Sequence, residues 1–310
     1  MSDWQLNTPV AFIIFNRLDT TERVFAEIAK AKPPKLLVVA DGARPTKAGE
    51  VEKVAATRAI INRVDWDCEV LTNYSEVNLG CKDRVSSGID WVFEQVEEAI
   101  ILEDDCLPDP TFFRFCQEML DRYRSDLRIG VISGNNFKFE NKRNNDSYYF
   151  SKYVHIWGWA TWRNRWKNHY DVNIYQWPII KHQNWLSDIF GDEKESKIWT
   201  RVFDKMYKKQ IDTWDYQWIF ANWINNRISI IPNVNLISNI GFGEGASHTR
   251  FRDKTAELKT EPLLFPLTTP RCVCPNASFD KFVFNLIFNI SVIKKIKTKL
   301  LNVIIKLQNT

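Results

Sequence analysis

Along the first 120 or so residues, short unbroken apolar runs alternate with longer stretches whose apolar positions recur three and four apart. The run over 10–15, Val10-Ala11-Phe12-Ile13-Ile14-Phe15, has the continuity of a strand buried on both faces. A helical pattern over about 21–31 follows, with Asp19 or Thr20 as its cap, and Pro33-Pro34 ends it. A second strand over 36–40 stops at Asp41-Gly42. A helix over 48–63, a strand over 68–71, a helix over 83–96 and a strand ending at Leu102 continue the alternation. Four strand-then-helix passages predict an α/β, Rossmann-like fold with a mostly parallel central sheet flanked by helices and right-handed crossovers. Such sheets bind ligands beyond the carboxyl ends of their strands, here Asn16-Arg17, Asp41, the segment 78–84 and the segment 103–105.

The fourth strand ends in unusual chemistry. Ile100-Ile101-Leu102 runs directly into Glu103-Asp104-Asp105, and the chain turns at Cys106-Leu107-Pro108-Asp109-Pro110 before a helical pattern over 112–120. Three adjacent carboxylates repel one another, so at the end of a buried strand they point to a cation or its ligands. Mg2+ or Mn2+ is hard and keeps few protein ligands, so one or two carboxylates plus substrate phosphate oxygens complete a site. Asp105, nearest the strand exit, is the candidate metal ligand; Glu103 and Asp104 are candidates for ribose hydroxyls.

Beyond Asp126 the regular alternation fails. A strand over 129–134, a polar loop over 140–147 and an aromatic-rich stretch over 148–162 precede helices over 197–209 and 215–226 and short strands over 229–231 and 235–237. Asp215 lies among Trp214, Tyr216 and Trp218, where desolvation suits a general base and a helix start equally suits an N-cap. The stretch Gly241-Phe242-Gly243-Glu244-Gly245, followed by Ser247, His248 and Arg250, lacks the ending of a phosphate-binding P-loop and reads as a lid. Ten tryptophans crowd the second half; their flat faces suit sugar rings, and core packing accounts for most of them. After Pro275, the segment 282–307 is apolar with a polar edge at Asn285, Asn289, Lys295, Lys299, Asn302 and Lys306. Lys294, Lys295, Lys297 and Lys299 make this amphipathic helix basic, which fits an anionic membrane surface; packing on protein is the alternative.

Bulk composition narrows the field. A net charge of +4 over 310 residues, with cations spread along the chain except at the C-terminus, speaks against nucleic-acid binding. The six cysteines lack zinc spacing, the N-terminus lacks a signal layout, and no run reaches the ~20 apolar residues of a spanning helix. The expectation is a cytoplasmic protein, peripheral at most on the inner face of the cell membrane. A single catalytic domain over 1–272, with a nucleotide-binding half over about 8–135 and an acceptor half over about 136–272, would carry the basic helix over 273–310.

The order of these pieces resembles a known family. Strand to Asn16-Arg17, strand to Asp41-Gly42, Ile-Leu-Glu-Asp-Asp-Cys-Leu-Pro-Asp-Pro-Thr-Phe-Phe, Trp214-Asp215 and Gly-Ala-Ser-His is similar to the GT-A glycosyltransferases over about residues 8–255. The branch it looks most like contains the N-acetylglucosaminyltransferase that begins complex N-glycan branching and its bacterial sugar-transferase relatives. That resemblance implies Asp105 on the metal, Glu103 and Asp104 on the nucleotide, Arg17 with Asn16 at the diphosphate or nucleoside, and Asp41 on the base, uracil. It implies Asp215 as the base that deprotonates an acceptor hydroxyl with inversion, and Ser247 on phosphate; Lys82 and Arg84 have no secure match in the family and are carried only as phosphate contacts. The donor would be a UDP-sugar and the acceptor a glycan or a lipid-linked molecule. The rivals are a sugar-nucleotide nucleotidyltransferase, whose glycine-rich loop is missing after the first strand, and a non-enzymatic glycan- or membrane-binding protein.

Overall fold

The computed structural model describes residues 4–137, 145–242 and 257–289. The first half runs β1 (Val10–Ile14), α1 (Leu18–Ala31), β2 (Lys35–Ala40), α2 (Glu50–Ala59), β3 (Glu69–Tyr74), α3 (Gly80–Gln95) and β4 (Glu98–Glu103). After it come β5 (Cys106–Pro108), α4 (Thr111–Tyr123), β6 (Ile129–Ser133), β7 (Tyr148–Ser151) and β8 (Trp159–Trp162). Four helices follow β8: α5 (Arg163–Trp166), α6 (Trp177–His182), α7 (Trp185–Phe190) and α8 (Glu193–Tyr207). The described chain ends with α9 (Asp215–Ile224), β9 (Ile228–Pro232), β10 (Ile237–Asn239) and α10 (Ala277–Val283).

Eight strands form one mixed sheet in the order β3-β2-β1-β4-β8-β6-β9-β7, with β1 to β4 parallel. The apolar runs of β1 and β2 are buried because helices cover both faces. Successive side chains of β1 point to opposite faces: Ala11 and Ile13 meet Val85, Ile89 and Val92 of α3, while Val10, Phe12 and Ile14 meet Val24, Phe25 and Ile28 of α1. Edge strand β3 is only partly covered, and its Glu69 is exposed. Because β1 has β2 on one side and β4 on the other, the strand order reverses between β1 and β4, and their carboxyl ends flank a topological switch point.

Several local expectations change. Asp19 and Thr20 do not cap α1; Arg17 holds that position without a side-chain cap, and its carbonyl accepts the Thr21 hydroxyl at 2.6 Å. Helix α3 starts at Gly80, three residues before the expected start, because Asp41 holds the backbone N–H groups of Leu79 and Gly80 at 2.9 and 3.0 Å. The aromatic stretch hides β8, which inserts antiparallel between β4 and β6, and β7 at the sheet edge. Most tryptophans are core: Trp159 stacks on Trp214 at 5.7 Å, Trp166 on Tyr170 at 4.0 Å, and Trp199 and Trp218 are fully buried. Past residue 272, Phe279, Val283 and Phe284 are buried in the same core, and Phe279 packs on Tyr149 at 4.6 Å. The start of the expected tail helix therefore packs on protein; its basic part, including Lys294, Lys295, Lys297 and Lys299, lies outside the described residues.

Candidate functional site

Where β1 and β4 end, the chain brings a cation onto the acidic triplet. Arg17 donates from Nη1 to Asp105 Oδ2 at 2.9 Å and from Nη2 to Asp104 Oδ1. Asp104 also accepts the Phe15 backbone N–H at 3.2 Å, so it ties the two strand ends together beneath the surface. Burial pulls Arg17 down, yet Asp104 and Asp105 outweigh it and the guanidinium ends above its ordinary range. Burial pushes the Glu103 carboxyl up, reinforced by Asp105 and Asp104 and opposed by Arg17, with Asp215 adding to the rise.

Asp105 passes straight into β5, which pairs antiparallel with β10, Cys106 opposite Asn239. The ladder continues as Ile240 donates to the Asp105 carbonyl at 2.8 Å, placing Gly241 on the Arg17–Asp105 pair. From the other side comes α9. Asp215 is its first residue and does not cap it; Trp214 holds the N-cap position without a side-chain cap, and Asp215 accepts the Thr213 hydroxyl.

These pieces enclose one cavity of about 400 Å³. Arg17, Glu103 and Asp105 line one part of it, Thr213, Trp214, Asp215 and Tyr216 another, and Trp157, Ile156, Ile211, Cys81, Asn239 and Gly241 complete the wall. Three carboxylates from separate positions thus face one cavity with one guanidinium among them. The Cys81 thiol is held up by burial and then by Glu103, Asp212, Asp215 and Asp105, so it stays protonated rather than serving as a nucleophile.

The other expected residues have different occupations. Both Asp41 carboxylate oxygens are bound within the protein, by the N–H groups of Gly42, Leu79 and Gly80 and by Asn78 Nδ2 at 3.0 Å, which makes Asp41 the clamp on the start of α3. Arg84 is buried and donates to the Ala40 carbonyl at 3.1 Å and to Asn73 Oδ1 at 2.7 Å, so it joins β2, β3 and α3 and does not line the cavity. Asn16 donates to Glu50 at 2.8 Å, and Lys82 lies 3.4 Å from Asp83; neither is in the cavity wall. Ser247 lies outside the described residues. The wall residues Cys81, Trp157, Thr213 and Asn239 had no sequence signal beyond nearness to a strand end or an aromatic cluster.

Whether a divalent cation fits is a question of charge and ligand number. Among the described residues no three His, Cys, Asp or Glu side chains converge as a ligand set. A hard cation that keeps water and substrate oxygens needs no such set, and the excess of carboxylate over guanidinium on this wall suits one. Asp105, with Glu103 beside it, is the group that fits.

No protein-family model matches the chain, and no curated protein does. Among solved structures, HddC from Yersinia pseudotuberculosis is 9% identical, with a TM-score of 0.30 over 52% of this chain and 80% of that one. TrmK of M. capricolum with S-adenosyl-homocysteine is 10% identical, with a TM-score of 0.19 over 72% of this chain and 94% of that one. Neither likeness, at these TM-scores, bears on the activity of the chain.

Proposed function

We propose that the chain is a GT-A glycosyltransferase that uses Mn2+ or Mg2+ and moves a sugar, with inversion, from a nucleotide diphosphate donor such as a UDP-sugar to a hydroxyl of a glycan or lipid-linked acceptor. One observation carries the reading: Asp215 shares a single cavity with Arg17, Glu103 and Asp105, so a base and a diphosphate-binding group have room for one substrate between them. A cation held by Asp105 would offset the negative charge of the diphosphate leaving group. Arg17, hydrogen-bonded to Asp105, would meet the same phosphates. Asp215 takes the proton of the acceptor hydroxyl as its oxygen attacks the anomeric carbon; the bond from that carbon to the phosphate oxygen breaks and its electron pair leaves on the diphosphate. A base acting opposite the leaving group gives inversion. Trp157, Trp214 and Tyr216 line the space where sugar rings would lie.

The test is donor turnover. Purified protein offered a panel of nucleotide sugars is expected to hydrolyse one of them slowly with Mn2+ or Mg2+ and not with chelator, and Asp105→Ala is expected to abolish that hydrolysis. Wild-type turnover by Asp105→Ala in the presence of metal would sink the assignment. Release of pyrophosphate from a nucleoside triphosphate and a sugar phosphate would favour the nucleotidyltransferase instead.

A further inference from the structure

The face of α8 that points away from the core is entirely cationic. At 3.6 residues per turn, Lys194, Lys197, Arg201 and Lys205, continued by the C-cap residue Lys208, fall within an arc of about 80°, and no other position of α8 falls in that arc. All five are exposed, while Glu195, Trp199, Phe203 and Met206 on the opposite side are buried. Lys197 pairs with Glu193; the other four have no carboxylate partner among the described residues. A solvated helix face in a chain of net charge +4 ordinarily mixes signs, with acids and bases paired four apart. This one does not.

Apolar side chains stand at its flank. Asp204 joins α6 to α8 by accepting Trp177 Nε1 at 3.0 Å and Lys181 Nζ at 2.8 Å. Ile179 of α6 has 61% of its surface exposed, and Tyr175, two residues before α6, has 70%. A basic stripe about 21 Å long beside exposed aromatic and aliphatic groups is the composition of a surface that lies flat on lipid headgroups and dips its apolar edge into them. A soluble polyanion would use the stripe and leave the apolar flank without a role.

We propose that the outward face of α8, with the exposed Tyr175 and Ile179 of the neighbouring α6 segment, docks on an anionic lipid bilayer. This contact is independent of the basic tail. It also has a consequence for the transferase reading, on which the docking itself does not rest: three residues past Lys208 the chain reaches Ile211, a wall residue of the catalytic cavity. Docking through α8 would therefore bring that wall of the cavity toward the membrane, where a lipid-linked acceptor resides.

Sedimentation of the full chain with vesicles tests this. At low salt the protein is expected to pellet with mixed phosphatidylcholine–phosphatidylserine vesicles, to be released as salt rises, and to stay in solution with phosphatidylcholine alone. Each basic side chain near such a surface contributes about fivefold to partitioning, so Arg201→Gln/Lys205→Gln/Lys208→Gln should lose on the order of a hundredfold. Lys294, Lys295, Lys297 and Lys299 remain in that variant, so the loss belongs to α8. The exposed positions leave the thermal midpoint unchanged, and donor hydrolysis should persist, which keeps a failure of docking distinct from a failure of the catalytic reading. Ile179→Ser/Tyr175→Ser should weaken binding in a salt-independent way. The proposal is overturned if the triple variant binds mixed vesicles like wild type, or if heparin retains the protein while no vesicle does.

Discussion

Gly241 sits against Asp105 so closely that a Cβ on it would stand 2.7 Å from the Asp105 Cβ and 2.6 Å from Arg17 Nη1. Only a residue without a side chain lets the strand leaving β10 pass over the Arg17–Asp105 ion pair. Gly241→Ala should therefore force the pair apart and cost about 1–3 kcal/mol of stability, the usual range for overpacking a fitted contact. It should also weaken binding of Mn2+ with nucleotide more than it lowers the thermal midpoint would explain. Calorimetric titration of UDP with metal into the variant checks this; unchanged affinity would mean that Gly241 only packs.

Arg17 is the cation beside the buried Asp104 carboxylate, whose side chain is 4% exposed. Removing one partner of a buried pair leaves the other charge uncompensated, so Arg17→Ala should destabilise the fold by about 3 kcal/mol in urea denaturation. Adding Asp104→Asn to Arg17→Ala should recover part of that loss, because the neutral amide no longer needs a counter-ion. Arg17→Lys should recover less, since an ammonium cannot reach Asp104 and Asp105 with two separate N–H groups in a fixed fork. If Arg17→Ala and wild type unfold at the same urea concentration, the pair carries no stability.

Asp215 opens α9 without capping it, so its loss should spare the helix. Asp215→Asn keeps an oxygen for the Thr213 hydroxyl and is expected to fold with an unchanged midpoint. As the proposed general base it should lose about 10²–10⁴-fold in kcat with little change in donor KM. A variant with wild-type kcat would move the base elsewhere in the cavity.

Much of this was legible in the chain because buried parallel strands read as unbroken apolar runs. The ends of β1, β2 and β4 fell close to where Arg17, Asp41 and Glu103 announced them. Strands β7 and β8 were hidden because their aromatic residues suit a helix, a strand or a loop equally, and only the pairing with β4, β6 and β9 decides among them. The site divided in a similar way. Arg17, Glu103, Asp105 and Asp215 share the cavity, and their signals were charges set at element ends. Asp41 and Arg84 carried the same signal, and the fold spends them on backbone groups, because a polar residue beside a strand end can serve a ligand or the loop that follows. Pattern alone does not separate those two uses. Gly241 was read as part of a lid, and its contact with Asp105 depends on the β5–β10 pairing, which no local pattern reveals.

Asp280, on α10, gives the clearest dependence of stability on pH. Burial pushes its carboxyl up to about 6, against the opposing hydrogen bond from Ser151 at 2.6 Å, a longer one from the Lys152 N–H and the Lys152 charge. The unfolded chain releases this proton near pH 3.8 and the folded chain only at about 6. Between those values the folded state binds more protons than the unfolded state, so stability falls as pH rises and the full cost is reached above pH 6. Two units correspond to roughly 3 kcal/mol. Asp280→Asn can still pair with both the Ser151 hydroxyl and the Lys152 N–H, and it carries no proton to release. The difference in unfolding free energy between Asp280→Asn and wild type should therefore be small at the acid end of this window and favour the variant by up to that amount at neutral pH. Urea titrations of both proteins at the two ends of the window measure it, and a difference that does not change with pH would show that Asp280 ionises alike in the folded and unfolded chain.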